Sequence, residues 1–100
     1  MAAILVNHVV EDYNSWLKFF EEHEPARREA SVQGTAVWQA ADNPNNVYVL
    51  MEYGDQARIE RFAASDDLKQ TMQRAGVKGA PTITYLGNVR WYQAMRGAAT

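Results

Sequence analysis

The sequence predicts one α+β domain, and three observations carry that expectation. Four short segments are rich in β-branched and apolar residues, the segments between them repeat apolar residues at three- and four-residue spacing, and the order is β-α-β-β-α-β. Strands and helices are therefore interleaved within a single layer pair.

Each element has its own signal. Ala3 to Val10 are β-branched and apolar with no helical period, and Glu11 and Asp12 close the run, which predicts the first strand. Asp12 is placed to cap a helix in which Tyr13, Trp16, Leu17 and Phe20 share one face. Pro25 has no N–H to give the carbonyl of Glu21, so this helix is expected to kink or restart before it continues through ARREA. After Gly34, TAVWQAA and VYVLMEY predict a hairpin, with DNPNN as a five-residue turn. Asp55 is positioned to cap a second helix that carries Ile59, Phe62 and Ala63 on its apolar side. At ASDDL, Ser65 with Asp66 and Asp67 marks a new N-terminus; the following segment turns Leu68, Met72 and Ala75 inward, and Gly76 ends it as a left-handed cap. VKGAP then leads into TITYL, the last strand. The domain is expected to span residues 1–86, and the extension 87–100, with Val89, Trp91, Tyr92 and Met95, to pack on a partner chain.

With right-handed crossovers, this order gives the ferredoxin-like arrangement: a four-stranded antiparallel sheet with two interrupted helices on one face. Two helices cover one face only. Yet the first and third strands present Ile4, Leu5, Val6 and Val9, then Val47, Val49, Leu50 and Met51, on both faces. The uncovered face is expected to meet a second copy of the chain, sheet to sheet, in a two-fold homodimer.

Composition narrows the function. The 100 residues are 47% apolar and 22% charged with a net charge of -2, which suits a globular domain and gives no pull on a polyanion. The absence of cysteine excludes disulfides, thiolate metal sites and cysteine nucleophiles. The apolar run in MAAILVNHVVED is too short for a membrane span and lacks a basic region before it, so a strand and a cytoplasmic location are expected. RNA-recognition modules share this topology and stack bases on strand aromatics, for which Trp38, Tyr48 and Tyr53 would qualify. Between Arg28 and Arg58, however, there is no Lys or Arg to meet a phosphate backbone, so no nucleic-acid partner is expected.

The candidate chemistry lies around the only two histidines. His23 follows Phe20 by three residues and Trp16 by seven, continuing the apolar helix face, with Arg27 one turn further on. His8 shares a strand face with Val6 and Val10, and the sequence does not say whether that face meets the helices or the partner sheet. In the first case His8 and His23 would be catalytic acid/base groups in a cavity with Arg27, Trp16, Trp38 and Tyr53 binding a small molecule. The competing reading is structural: His23 satisfied by a carbonyl near the Pro25 break, and His8 bonded to a neighbour. No phosphate loop, nucleophile elbow or local metal-ligand spacing occurs, so neither metal nor cofactor is expected.

The stretches HVVEDYNSW, FFEEHEPARREA, VYVLMEY and LKQTMQRAGVKGAPTITYL resemble the small dimeric α+β-barrel proteins of the antibiotic-biosynthesis-monooxygenase-like superfamily, over about residues 4 to 86. More narrowly the chain resembles an uncharacterised bacterial group within it, with His8, Asp12, Tyr13, Trp16, His23, Arg27 and the AGV-x-G-x-P run that ends at Pro81 as shared features. The resemblance implies a homodimer whose two sheets form a barrel and, in enzymes of the superfamily, a pocket between sheet and helices. It does not imply one reaction, because its members oxidise polyketides without a cofactor, degrade haem, isomerise lactones or lack known activity. Two functional classes follow: a small enzyme acting on an aromatic or conjugated metabolite by oxygenation or rearrangement, or a non-catalytic dimeric ligand-binding or interaction domain.

Overall fold

A computed structural model describes residues 2–90 and 92. The chain runs β1 (Ala2–Val10), α1 (Tyr13–Glu22), α2 (Glu24–Glu29), β2 (Val32–Ala40), β3 (Asn43–Tyr53), α3 (Gln56–Ala63), α4 (Asp66–Arg74) and β4 (Val77–Leu86). The strands form a four-stranded sheet in the order β2-β3-β1-β4, and every neighbouring pair is antiparallel. The fold is the ferredoxin-like α+β arrangement expected from the sequence, each helical segment being a broken pair.

The caps fall where the polar residues are. The Asp12 side chain accepts from the Ser15 N–H at 2.9 Å, Asp55 from that of Arg58 at 3.1 Å and Ser65 from that of Leu68 at 3.1 Å. Caps of this kind contribute about 1 kcal/mol each. Pro25 stands in the first turn of α2, where a missing N–H breaks no helical bond. His23 fills the joint between α1 and α2, its N–H shared by the carbonyls of Phe19 at 3.0 Å and Phe20 at 3.2 Å. Gly76 closes α4 in the left-handed region at φ +84.

The register decides which residues form the core. Ile4 lies opposite Met51, Val6 opposite Val49 and His8 opposite Val47, and all six are buried under the helices. Ile59 and Val47 are fully enclosed at 0% exposure, and Trp16, Ala30 and Ala75 complete the contact from the helix side. Burying side chains of this size contributes about 1.5–3 kcal/mol each before the cost of ordering the chain. The other sheet face carries Leu5, Val9, Trp38, Tyr48, Leu50 and Leu86, of which Trp38 is 54% exposed. Strict alternation thus separates one apolar surface covered by the helices from one that no helix among the described residues covers.

Three expected boundaries are corrected. The hairpin turn is Ala41 and Asp42 alone, because Ala40 pairs with Asn43 and most of the DNPNN segment belongs to β3. Asn45 explains why so polar a stretch is ordered: its side chain accepts from the Tyr13 N–H at 3.0 Å and donates to the Glu11 carbonyl at 3.3 Å, pinning the hairpin to the β1–α1 corner. β2 begins at Val32 instead of after Gly34, with a register shift between the two. β4 begins at Val77 and includes VKGAP, since β1 advances from Asn7 to Val9 while β4 covers Thr82 to Lys78 in a bulge. Gly79, at φ +67, supplies the left-handed turn there.

Among the described residues, no helix is long and apolar enough to cross a membrane. Val89 and Tyr92 are exposed, whereas Trp91 and Met95, named with them as an apolar extension, lie outside the described residues.

Candidate functional site

The position of His8 follows from alternation. It lies on the face of β1 that includes Ile4, Val6 and Val10, and that face meets the helices. The orientation left open by the sequence is therefore toward α1. The His8 ring meets Trp16 edge-on, with centroids 5.5 Å apart; Trp16 stacks on Phe20 at 4.9 Å, and the Arg27 guanidinium lies 3.7 Å above the Phe20 ring centroid. An unbroken run of ring contacts, edge-on at His8 and stacked beyond it, connects strand histidine to helix arginine. Helical spacing carries past the joint at His23, so that Arg27 turns in beside Phe20 while Arg28 stays exposed with Glu24 at 2.7 Å.

A cavity of about 60 Å³ lies against these rings. His8, Trp16, His23 and Arg27 all line it, with Met51, Phe62, Leu68 and Met72 among the apolar residues closing it. Four of the six residues singled out from the sequence thus converge. The remaining two do not. Trp38 lies opposite Tyr48 on the far face of the sheet, so a full sheet thickness separates it from His8. Tyr53 is on the correct face but at the end of β3, where its hydroxyl bonds the Gln56 side chain outside the cavity.

The polar groups differ in how they are satisfied. His8 is 5% exposed, and its buried Nδ1 has no hydrogen-bond partner. Burial pushes its pKa below the ordinary imidazole value, which keeps the ring neutral at pH 7. Such an orphaned atom costs about 1–3 kcal/mol, a cost that hydrogen bonding to a bound molecule would remove. Arg27 donates from Nη1 to the Phe20 carbonyl at 2.6 Å, and among the described residues no carboxylate lies within 4.0 Å of it. Desolvation lowers its pKa and nearby Glu24 acts the other way, but a guanidinium remains charged in either case. His23 is the satisfied member: its Nε2 lies 2.7 Å from Asp67 Oδ2, and its ring tilts against Phe62 at 5.8 Å.

Asp67 and Phe62 were not read from the sequence as site residues. The Asp67 contact joins positions 44 residues apart, and a first-turn aspartate reads as a helix-terminal charge. Thr71, buried among the lining residues, carries no sequence signal beyond helical spacing from Leu68. Among the described residues, no group of three His, Asp or Glu side chains could hold a metal ion.

The four-stranded ferredoxin-like sheet with helices on one face places the chain among small α+β folds, and solved structures match it in fold. A candidate antibiotic biosynthesis monooxygenase from Bordetella bronchiseptica superposes with a TM-score of 0.72 at 12% identity, covering 89% of this chain and 97% of its own. SnoaB, a cofactor-independent oxygenase from Streptomyces nogalater, gives 0.70 at 11% identity over 90% and 94%. A candidate antibiotic biosynthesis monooxygenase from Caulobacter crescentus gives 0.70 at 17% identity over 89% and 90%. No protein-family model and no curated protein matches the sequence. Likeness at these identities establishes that the fold is that of the antibiotic biosynthesis monooxygenases, along nearly the whole chain.

Proposed function

We propose that the protein is a small homodimeric enzyme that takes an aromatic or conjugated metabolite between sheet and helices for cofactor-independent oxygenation or rearrangement. His8 is the base: its neutral ring can accept the proton of an acidic O–H or C–H group at Nδ1. The unpartnered, buried Nδ1 facing an otherwise apolar setting is the observation that supports this reading most. Removing that proton raises the electron density of a conjugated ring, the step that allows such a ring to react with dioxygen or to rearrange. Arg27, a buried cation without a carboxylate, is complementary to the oxyanion that deprotonation leaves. The shared fold with SnoaB is consistent with that chemistry. The open apolar face supports the homodimer.

The test is oxygen uptake with a panel of hydroxynaphthalenes and hydroxyanthracenes. Uptake by the wild-type chain, absent in a folded His8→Leu variant, is the expected result; equal uptake by both would remove His8 from the chemistry. The small cavity favours a second reading, in which the dimer binds a ligand without transforming it. That reading would be supported by saturable binding with no oxygen uptake and no change in the recovered compound.

A further inference from the structure

Outside the wall of the cavity lies a second and wider space. It is an open groove of about 510 Å³, edged by Glu29, Arg58, Arg61, Ser65 and Asp67. Phe62 lines both spaces, while His23 lines only the inner one and Asp67 only the outer. Phe62 is the one residue the two linings share, and beside it the His23–Asp67 contact ties the α1–α2 joint to α4. Phe62 is half-buried, and its ring packs against that of His23 with centroids 5.8 Å apart.

Arg58, Arg61 and Phe62 stand at positions i, i+3 and i+4 of α3, on one helix face. Among the described residues, Arg61 has no carboxylate within 4.0 Å, and Arg58 has only Asp55 at 3.8 Å. Asp67 is engaged by His23, and Glu29 reaches neither arginine within that distance. Two guanidinium forks are thus available beside Phe62, and the fork matches a carboxylate in geometry as well as charge. Size points the same way. An inner cavity of 60 Å³ is smaller than the ~150 Å³ of an apolar cavity that takes benzene, whereas cavity and groove together reach the ~300–1,000 Å³ range of small-molecule sites.

Building on the reading of the inner cavity as a ligand site, we propose that the groove is its outer half. The ligand is a flat apolar ring system ending in a carboxylate: its ring lies inside at His8, its carboxylate lies outside at Arg58 and Arg61, and Phe62 turns aside to join the two spaces.

Calorimetric titration of the full chain with 2-naphthol and with 6-hydroxy-2-naphthoate tests this. The carboxylate is expected to strengthen binding about tenfold, and Arg58→Ala with Arg61→Ala is expected to erase that gain while leaving 2-naphthol unaffected. Both arginines are exposed, so the double variant is expected to fold. Phe62→Ala is expected to speed association of both probes. If the two probes bind the wild type equally, or the double variant keeps the carboxylate gain, the groove proposal is overturned and the cavity reading stands. If neither probe binds, the cavity reading itself fails and the groove proposal with it.

Discussion

Ile4 and Leu5 are neighbours in sequence, similar in chemistry and on opposite faces of one sheet. Ile4 is 1% exposed beneath the helices, whereas Leu5 lies on the face that no helix among the described residues covers. The same division runs along β3, where Val47, Val49 and Met51 are enclosed and Tyr48 and Leu50 are on the open side. The covered face tolerates almost nothing polar, which makes the one imidazole within it informative. A fold selected for stability alone would place an aliphatic residue at position 8. The other face instead combines Leu5, Leu50 and Trp38 with Asn7 and Glu52, apolar and polar side by side.

The difference between the faces can be broken from either side. The largest effect is expected in the covered core, where Ile4→Ala should cost about 2–5 kcal/mol in urea unfolding. Leu50→Lys should leave the single-chain core intact but convert a sedimenting dimer to a monomer; an unchanged sedimentation coefficient would show that this face is not the interface. His8→Leu should leave stability at pH 7 unchanged or raise it by roughly 1–3 kcal/mol, because an orphaned polar atom disappears, while ligand turnover is lost.

The same residue sets a pH dependence. His8 has a lower pKa in the folded chain than its ordinary 6.5, so the unfolded chain binds more protons in the window between the two values. Stability should fall as pH drops through that window, be unaffected by His8 above it, and fall less steeply in His8→Leu; equal slopes for the two proteins would contradict a buried neutral imidazole. The smallest effect is expected at Asp67. Its pair with His23 is exposed on the aspartate side, 67% of the Asp67 side chain being accessible, so Asp67→Asn should cost no more than about 1 kcal/mol in thermal unfolding.

The sequence disclosed the fold better than the site, and for a physical reason. Caps at Asp12, Asp55 and Ser65, the Pro25 break and the Gly76 stop are local signals, each decided by a few neighbouring backbone groups. DNPNN reads as a turn because it is built of turn-forming residues, whereas strand pairing and the tertiary bonds of Asn45 and Asn46 hold most of that segment in β3. Likewise, a strand containing Gly79 and Pro81 reads as a loop until a bulge accommodates them. His23 and Arg27 were legible from helical spacing. The facing of His8 was not, since alternation says which residues share a face but not what that face meets. Trp38 was placed by residue type and lies on the wrong side of the sheet, while Asp67 reaches His23 only across the fold.

The most direct measurement is the pair of imidazole nitrogen resonances of His8, followed by NMR while 2-naphthol is titrated into the wild-type protein. A ligand site built on the orphaned nitrogen requires Nδ1 to shift in step with saturation and 2-naphthol to bind more weakly to His8→Leu. Saturable binding with both His8 resonances unmoved, or shifts confined to Trp38, Tyr48 and Leu50 on the open face, would contradict it.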